Sequence, residues 1–155
     1  MELSNRQKLS NIILDDEKLR YCELYKITNL ENNKIYIGQA VSHILNHNRY
    51  RPYGGEGRFR CHISEAFSKK KNQCHYLNSA IKKYGCCNFD LDIIDYCELD
   101  KADELECKYI TEYNSLYPNG YNLKLGGKTF RHCDDSKKRV SNGVMDYYNV
   151  LMRIY

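Results

Sequence analysis

One glutamate in this chain stands where hydration is scarce. On a helical wheel of residues 99–113, Leu99, Ala102, Leu105, Tyr109, Ile110 and Tyr113 form one apolar arc. Glu106 falls inside that arc, whereas Glu104 and Glu112 project elsewhere. A carboxylate on a core-facing stripe loses solvation unless a cation or hydrogen-bond donors compensate. It is either a rim residue reaching solvent on its stem or a metal ligand at the floor of a cleft. Arg58 and His62, four residues apart, share one face of a helix. A guanidinium beside an imidazole suits a phosphate that gathers charge during transfer, although such a pair is also an ordinary surface arrangement. Tyr25 and Tyr36 lie in two short strand-like runs, 23–27 and 34–38. A hairpin of these runs brings two phenol hydroxyls together on one small sheet.

These side chains need elements to hold them. Asn32-Asn33 supplies turn residues that tolerate left-handed backbone between the two strands. From Gln39 to Gly57 the chain is rich in turn formers, and Pro52, Gly54 and Gly55 argue for an irregular connection. Residues 58–67 have helical composition, and 77–84 predicts a second helix closed by Gly85 as a C-cap. Phe89-Asp90-Leu91-Asp92-Ile93 alternates apolar and acidic, the period of a strand with one buried face. A helix over 99–113 and a short extended stretch at 121–125 follow, the latter ended by Gly126-Gly127. Residues 1–21 read as an N-terminal extension with a helix through Ile12, Ile13, Leu14 and Leu19. After the capping residues Asp134, Asp135 and Ser136, the spacing of Val140, Val144, Tyr147, Leu151 and Ile154 predicts a C-terminal amphipathic helix.

At 155 residues the chain is one domain with a real core. Its net charge of +4 is modest, but the charge is unevenly spread. From Arg58 to Phe89 seven Lys or Arg face one acid, Glu65; from Asp90 to Glu112 nine acids face two lysines. Such a split fits a nucleic-acid face opposite a solvated back, and equally two surface helices of uneven charge. Fifteen tyrosines and no tryptophan favour a surface that can stack on bases and bond phosphates, though most tyrosines fill half-buried positions. The eight cysteines include no Cys-x-x-Cys pair, and Cys86 and Cys87 are adjacent, which argues against zinc and disulfides. A structural zinc site with His132 is therefore set aside. The polar start and the lack of a membrane-length apolar run lead to the expectation of a reducing, intracellular compartment with free thiols.

The ordered set is more specific than its members. Glu-Leu-Tyr at 23–25, Tyr-Ile-Gly at 36–38, Arg58 with His62, Glu106 in Glu-Cys-Lys-Tyr-Ile, and Asn122 in Gly-Tyr-Asn follow one another along the chain. This resembles the GIY-YIG nuclease domain over residues 22–127, in its homing-endonuclease-like branch. The resemblance implies an α+β fold, a small three-stranded antiparallel sheet flanked by helices, with residues 128–155 as a C-terminal helical tail that could touch DNA. It also implies a metal-dependent DNA endonuclease with Tyr25, Tyr36, Arg58, His62, Glu106 and Asn122 as site residues. Glu106 would hold one Mg²⁺ (Mn²⁺ as substitute), Tyr25 would be the general base, and Arg58 would neutralise the phosphate. Tyr36 and Asn122 would position the phosphate and the glutamate helix, and Gly38 and Gly85 would be structural.

Candidate contacts to double-stranded DNA are Arg49, Arg51 and Tyr53 in the long connection, Arg60, Lys69, Lys70, Lys71, His75 and Lys82 in the basic middle, and Lys137 and Lys138 in the tail. With one site per chain, cutting both strands calls for a second chain, as a transient or DNA-induced dimer, or for a second binding event. One departure stands out: Glu23 replaces the first glycine of the motif. If it faces solvent Tyr25 is undisturbed; if a close approach needs glycine there, activity falls. Glu23 is thus the one sign in favour of the other reading, a catalytically inactive DNA-binding module of the same fold.

Overall fold

The computed structural model describes residues 17–69 and 74–126. The expected tail helix with Lys137 and Lys138, together with Lys70, Lys71 and most of the N-terminal extension, lies outside the described residues. What is described of that extension includes a single 3-10 turn, Glu17–Leu19.

Three strands form the central sheet: β1 (Cys22–Asn29), β2 (Ile35–Val41) and β5 (Phe89–Cys97), in the antiparallel order β2-β1-β5. β1 is central and almost wholly buried because helices cover both its faces. Tyr25 and Ile27 point to one face, joined by Ala40, Phe89, Leu77 and Ile81. Helices α1 (Gly54–Ala66) and α2 (His75–Tyr84) close that side. Cys22 and Leu24 point the other way, onto Ala102 of α3 (Ala102–Glu112), with Ile94, Leu105 and Tyr109 around them. The alternation seen in 89–93 holds, with Asp90 and Asp92 exposed and Phe89 buried. A bulge between Leu24 and Tyr25 in the β1–β5 pairing then resets the phase, which lets Ile94 reach the α3 side.

Three expectations need correction. The connection after Gln39 is not irregular: β2 runs on to Val41, and β3 (His43–Asn46) pairs antiparallel with β4 (Arg49–Pro52) as a separate two-stranded ribbon. Pro52 ends the last strand, a position that needs no N–H for a ladder. Gly54 and Gly55 do not break structure but begin α1, so the helix starts well before Arg58. Finally, Leu99 sits in a 3-10 turn and is 45% exposed, outside the buried arc of α3. Gly85 ends α2 with φ +82° and its N–H on the Ile81 carbonyl, the C-cap role the sequence predicts.

The stretch 121–125 contributes no strand, yet it seals the outer edge of β2. The Asn122 amide accepts from the Ile37 N–H at 2.8 Å and donates to the Ile37 carbonyl at 2.8 Å. Ser115 Oγ donates to the same amide oxygen at 2.7 Å, and the Tyr121 N–H reaches the Ile35 carbonyl. One side chain thus mimics a neighbouring strand. Replacing it would leave two buried backbone groups of β2 unpaired, each worth about 1–3 kcal/mol. Asn122→Ala is expected to lower stability by roughly 2–4 kcal/mol in urea unfolding, and an unshifted midpoint would remove the clasp.

Candidate active site

The site assembles where the chain omits a side chain. Pairing sets Tyr25 opposite Gly38. A Cβ at Gly38 would lie 2.5 Å from the Tyr25 hydroxyl and 2.9 Å from the Tyr36 ring, so only glycine leaves room for both phenols. The rings of Tyr25, Tyr36 and His62 form a triangle with centroid separations of 6.2, 6.5 and 5.4 Å. Within it the Tyr25 hydroxyl is 3.1 Å from His62 Nε2.

His62 is wholly buried, and burial first and the Arg58 charge second push its pKa down to about 4. At neutral pH the imidazole is therefore uncharged, and its Nε2 accepts the Tyr25 hydroxyl when the proton sits on Nδ1. Nδ1 of His62 and Oδ1 of Asn78 are both buried without a hydrogen-bond partner among the described residues. Burial raises the Tyr25 pKa well above the usual phenol value, with Arg58 pulling the other way. Tyr36 is shifted up likewise, by burial and then by Tyr25. Its hydroxyl lies 3.6 Å from Cys74 Sγ, so a cysteine that reads in sequence as core filler lines the site.

Arg58 lies on the same helix as His62, one turn earlier, as the spacing predicts. Its guanidinium binds Glu65 at 3.0 Å, and Asn78 Nδ2 donates to the other Glu65 oxygen at 3.2 Å. Arg58 holds the Glu65 carboxyl below its usual range, by hydrogen bond and by charge, against the effect of burial. Glu65 stands two turns after Arg58 on the same helix, a spacing that puts both on one face, and Asn78 joins it only through the packing of α2 on α1. Tyr53, a DNA-contact candidate, lies beside the arginine: its hydroxyl donates to Cys61 Sγ at 3.4 Å, and burial and Cys61 push its pKa up to about 12, with Arg58 opposing.

Glu106 sits on the far side of β2 and is only 9% exposed. Gln39, next to Gly38, donates through Nε2 to Glu106 Oε2 at 3.0 Å and to Asp103 Oδ1 at 2.6 Å. The backbone of Gly126 closes over the carboxylate, since a Cβ there would lie 2.8 Å from Oε2. Among the causes that raise Tyr25 and Tyr36 is the Glu106 charge, so the carboxylate and the phenols share one electrostatic space. Among the described residues no cluster of three or more His, Cys, Asp or Glu could hold a metal. A single carboxylate ligand fits Mg²⁺ better than zinc, because Mg²⁺ keeps several waters and takes phosphate oxygens as its other ligands.

Glu23 does not face solvent. It is 6% exposed, and its Oε2 accepts the Gly55 N–H at 2.8 Å, at the open N-terminus of α1. Burial raises its pKa, offset by the Gly55 hydrogen bond. Gly54, at φ +57°, makes room for it: a Cβ there would lie 2.2 Å from Oε2. The residue that departs from the motif therefore ties β1, which carries Tyr25, to the helix that carries Arg58 and His62.

The remaining candidates lie further out. Asn122 is 5% exposed with its amide bound to β2 and Ser115, so it serves the strand that bears Gly38. Arg49, Arg51, Arg60, Lys69, His75 and Lys82 lie outside the buried cluster, and all six are exposed. Arg60 is 3.9 Å from Glu56. The seven cysteines among the described residues are all free, and no helix there is long and apolar enough to cross a membrane.

Comparisons with known proteins converge on one family. A family model described as "Putative endonuclease segE, GIY-YIG domain" matches residues 8–122. From Enterobacteria phage T4, "Putative endonuclease segB" is 37% identical over 106 residues, 67% of this chain and 38% of the relative. "Endonuclease segA" of the same phage is 32% identical over 128 residues, 79% of this chain and 48% of the relative. The chain thus spans less than half the length of these relatives. Among solved structures, a mutant form of the catalytic domain of the intron endonuclease I-TevI aligns with a TM-score of 0.54 at 26% identity, covering 69% of this chain and 97% of that domain.

The Glu23 seat has a measurable signature. Glu23→Ala removes the acceptor at the start of α1 and is expected to lower stability by about 1–2 kcal/mol, whereas Glu23→Gln keeps an acceptor and most of the stability. Equal losses in the two variants, by chemical denaturation, would reject the capping role.

Proposed function

This chain belongs to the GIY-YIG endonuclease family, and from that premise we propose that it hydrolyses phosphodiester bonds of double-stranded DNA as a Mg²⁺-dependent, homing-type endonuclease. The observation that carries the reading is the buried Tyr25–His62 hydrogen bond next to Arg58, at a gap in the sheet made by Gly38. A surface tyrosine pair would not be built this way.

The residues divide the chemistry between them. Tyr25 takes a proton from the attacking water as its own phenolic proton passes to His62 Nε2, so the buried phenol never stands as a free anion. That relay answers the raised pKa of Tyr25. His62 begins neutral, ready to accept, and the incoming phosphate offsets the Arg58 charge that helps hold its pKa down. Arg58 steadies the charge that builds on the phosphate, exchanging part of its Glu65 contact for the substrate. Tyr36 packs against both partners and sets the pocket wall. Glu106 would hold the Mg²⁺, with Mn²⁺ as a substitute, supplying Lewis-acid polarisation of the phosphate. One site cuts one strand, so double-strand cleavage requires a second chain on the DNA or a second binding event.

Nicking of supercoiled plasmid is expected with Mg²⁺ and not with EDTA. Glu106→Ala should abolish nicking while DNA binding persists, and Tyr25→Phe should cut the rate by at least ~100-fold, the size of a lost general base. Full activity in Tyr25→Phe would take that residue out of the relay; binding without nicking across several divalent ions would leave only the DNA-binding module.

The pH profile follows from His62. Its free-enzyme pKa is near 4, so the base form is complete well below neutrality. The acid limb of kcat/KM for nicking is expected between about pH 4 and 5, not near the ordinary histidine value of about 6.5. A limb at the ordinary value would mean that His62 is solvated in the free enzyme and that burial does not hold its pKa down.

A further inference from the structure

The ribbon β3–β4 is left over once the site is built. It lies in the chain between β2 and α1, outside the three-stranded sheet, and pairs only with itself. Its register divides its residues into two faces. His43, Leu45, Tyr50 and Pro52 point one way, because His43 pairs with Pro52 and Leu45 with Tyr50. This face turns inward at its root, where His43 is fully buried and the Arg20 guanidinium lies 4.9 Å over the Tyr50 ring. Ile44, Asn46, Arg49 and Arg51 point the other way and all four are exposed.

That outer face is built for an anionic partner. Neither arginine has an ion pair or hydrogen bond among the described residues. No acid occurs from Asn32 to Gly55, so no local carboxylate competes for them. The ribbon is also held firmly. Ser42 N–H donates to the Tyr21 carbonyl, Tyr53 N–H donates to the Ser42 carbonyl, and Ser42 Oγ lies 2.9 Å from His43 Nδ1. At the tip, His47 and Asn48 both have positive φ, the two-residue turn whose twist matches paired strands.

We propose that this ribbon enters the major groove of the DNA substrate and reads sequence next to the cut. A two-stranded β-ribbon fits that groove. Arg49 and Arg51, two residues apart, are spaced ~7 Å along the strand, which matches two base-pair steps. Arginine is the residue that bonds both O6 and N7 of guanine, Asn46 offers an amide for adenine, and Ile44 offers apolar contact to a thymine methyl. The stretch from Gly38 to His47 reaches at most ~30 Å, so the bases read lie within about nine base pairs of the scissile phosphate. The inference rests on the nuclease reading for its position along DNA, but not for its binding face.

The test uses the full chain and a duplex library, with bound sequences and cleaved sequences recovered separately. Arg49→Ala/Arg51→Ala should flatten the sequence preference near the cut, with a loss on the order of tenfold per arginine at the preferred bases. Arg49→Lys/Arg51→Lys keeps the charge but not the bidentate fork, so it should retain affinity for random duplex and still lose the preference. Unfolding midpoints of both variants, compared with wild type, show whether the ribbon stays folded. An unchanged sequence preference in the alanine variant overturns the proposal, and full specificity in the lysine variant reduces the ribbon to a phosphate contact and overturns base reading. Wild-type binding without cleavage would instead defeat the nuclease reading, while the bound-sequence arm still decides the ribbon.

Discussion

Much of this molecule depends on one buried hydrogen bond, between the Tyr25 hydroxyl and His62 Nε2. It links the central strand to the first helix, and it holds only if the sheet leaves space beside it. Gly38 supplies that space, Asn122 fixes the strand that carries Gly38, and Glu23 anchors the helix that carries His62. Asn122 and Glu23 act on backbone, and Gly38 acts by lacking a side chain. Buried polar pairs of this kind are costly when half satisfied, which is why the neighbouring elements are so constrained.

The charge map fits this arrangement. In the order β2-β1-β5, the gap at Gly38 lies at one edge strand and the exposed Asp90 and Asp92 lie on the other. The basic segment includes α1 and α2, which cover the face of the sheet that carries Tyr25, whereas Asp90 and Asp92 alternate onto the opposite face of β5. Glu106 is the exception, a nearly buried carboxylate held against Gln39 and Gly126.

How much of this is legible in the sequence depends on how local each signal is. Glu106 can be found because an acid inside an apolar arc breaks the helical pattern, and Arg58 with His62 because helix spacing fixes their shared face. Gly85 and the strand at Phe89 follow from caps and alternation. The ribbon escapes notice because His47-Asn48 carries none of the glycine that marks most two-residue turns, and because Pro52 suggests disruption. Cys74 and Gln39 cannot be recognised, since each becomes a partner only when separate elements pack, whereas Glu65 shares a helix face with Arg58 and its spacing of two turns is a usable signal. Glu23 is ambiguous for a related reason: its role comes from Gly54 and Gly55, more than thirty residues away.

The Glu23–Gly54 seat also limits how this sequence can change over time. A side chain at position 54 collides with the carboxylate, and the left-handed backbone there disfavours one in any case. A glycine at position 23 would instead leave the first turn of the helix without its acceptor. The two positions are therefore epistatic in one direction: the acid at 23 requires glycine at 54, but glycine at 54 does not require the acid. Lineages that carry an acid at the first motif position should have glycine at the helix start, and the order of the two substitutions is set, with glycine at 54 first and the acid at 23 second.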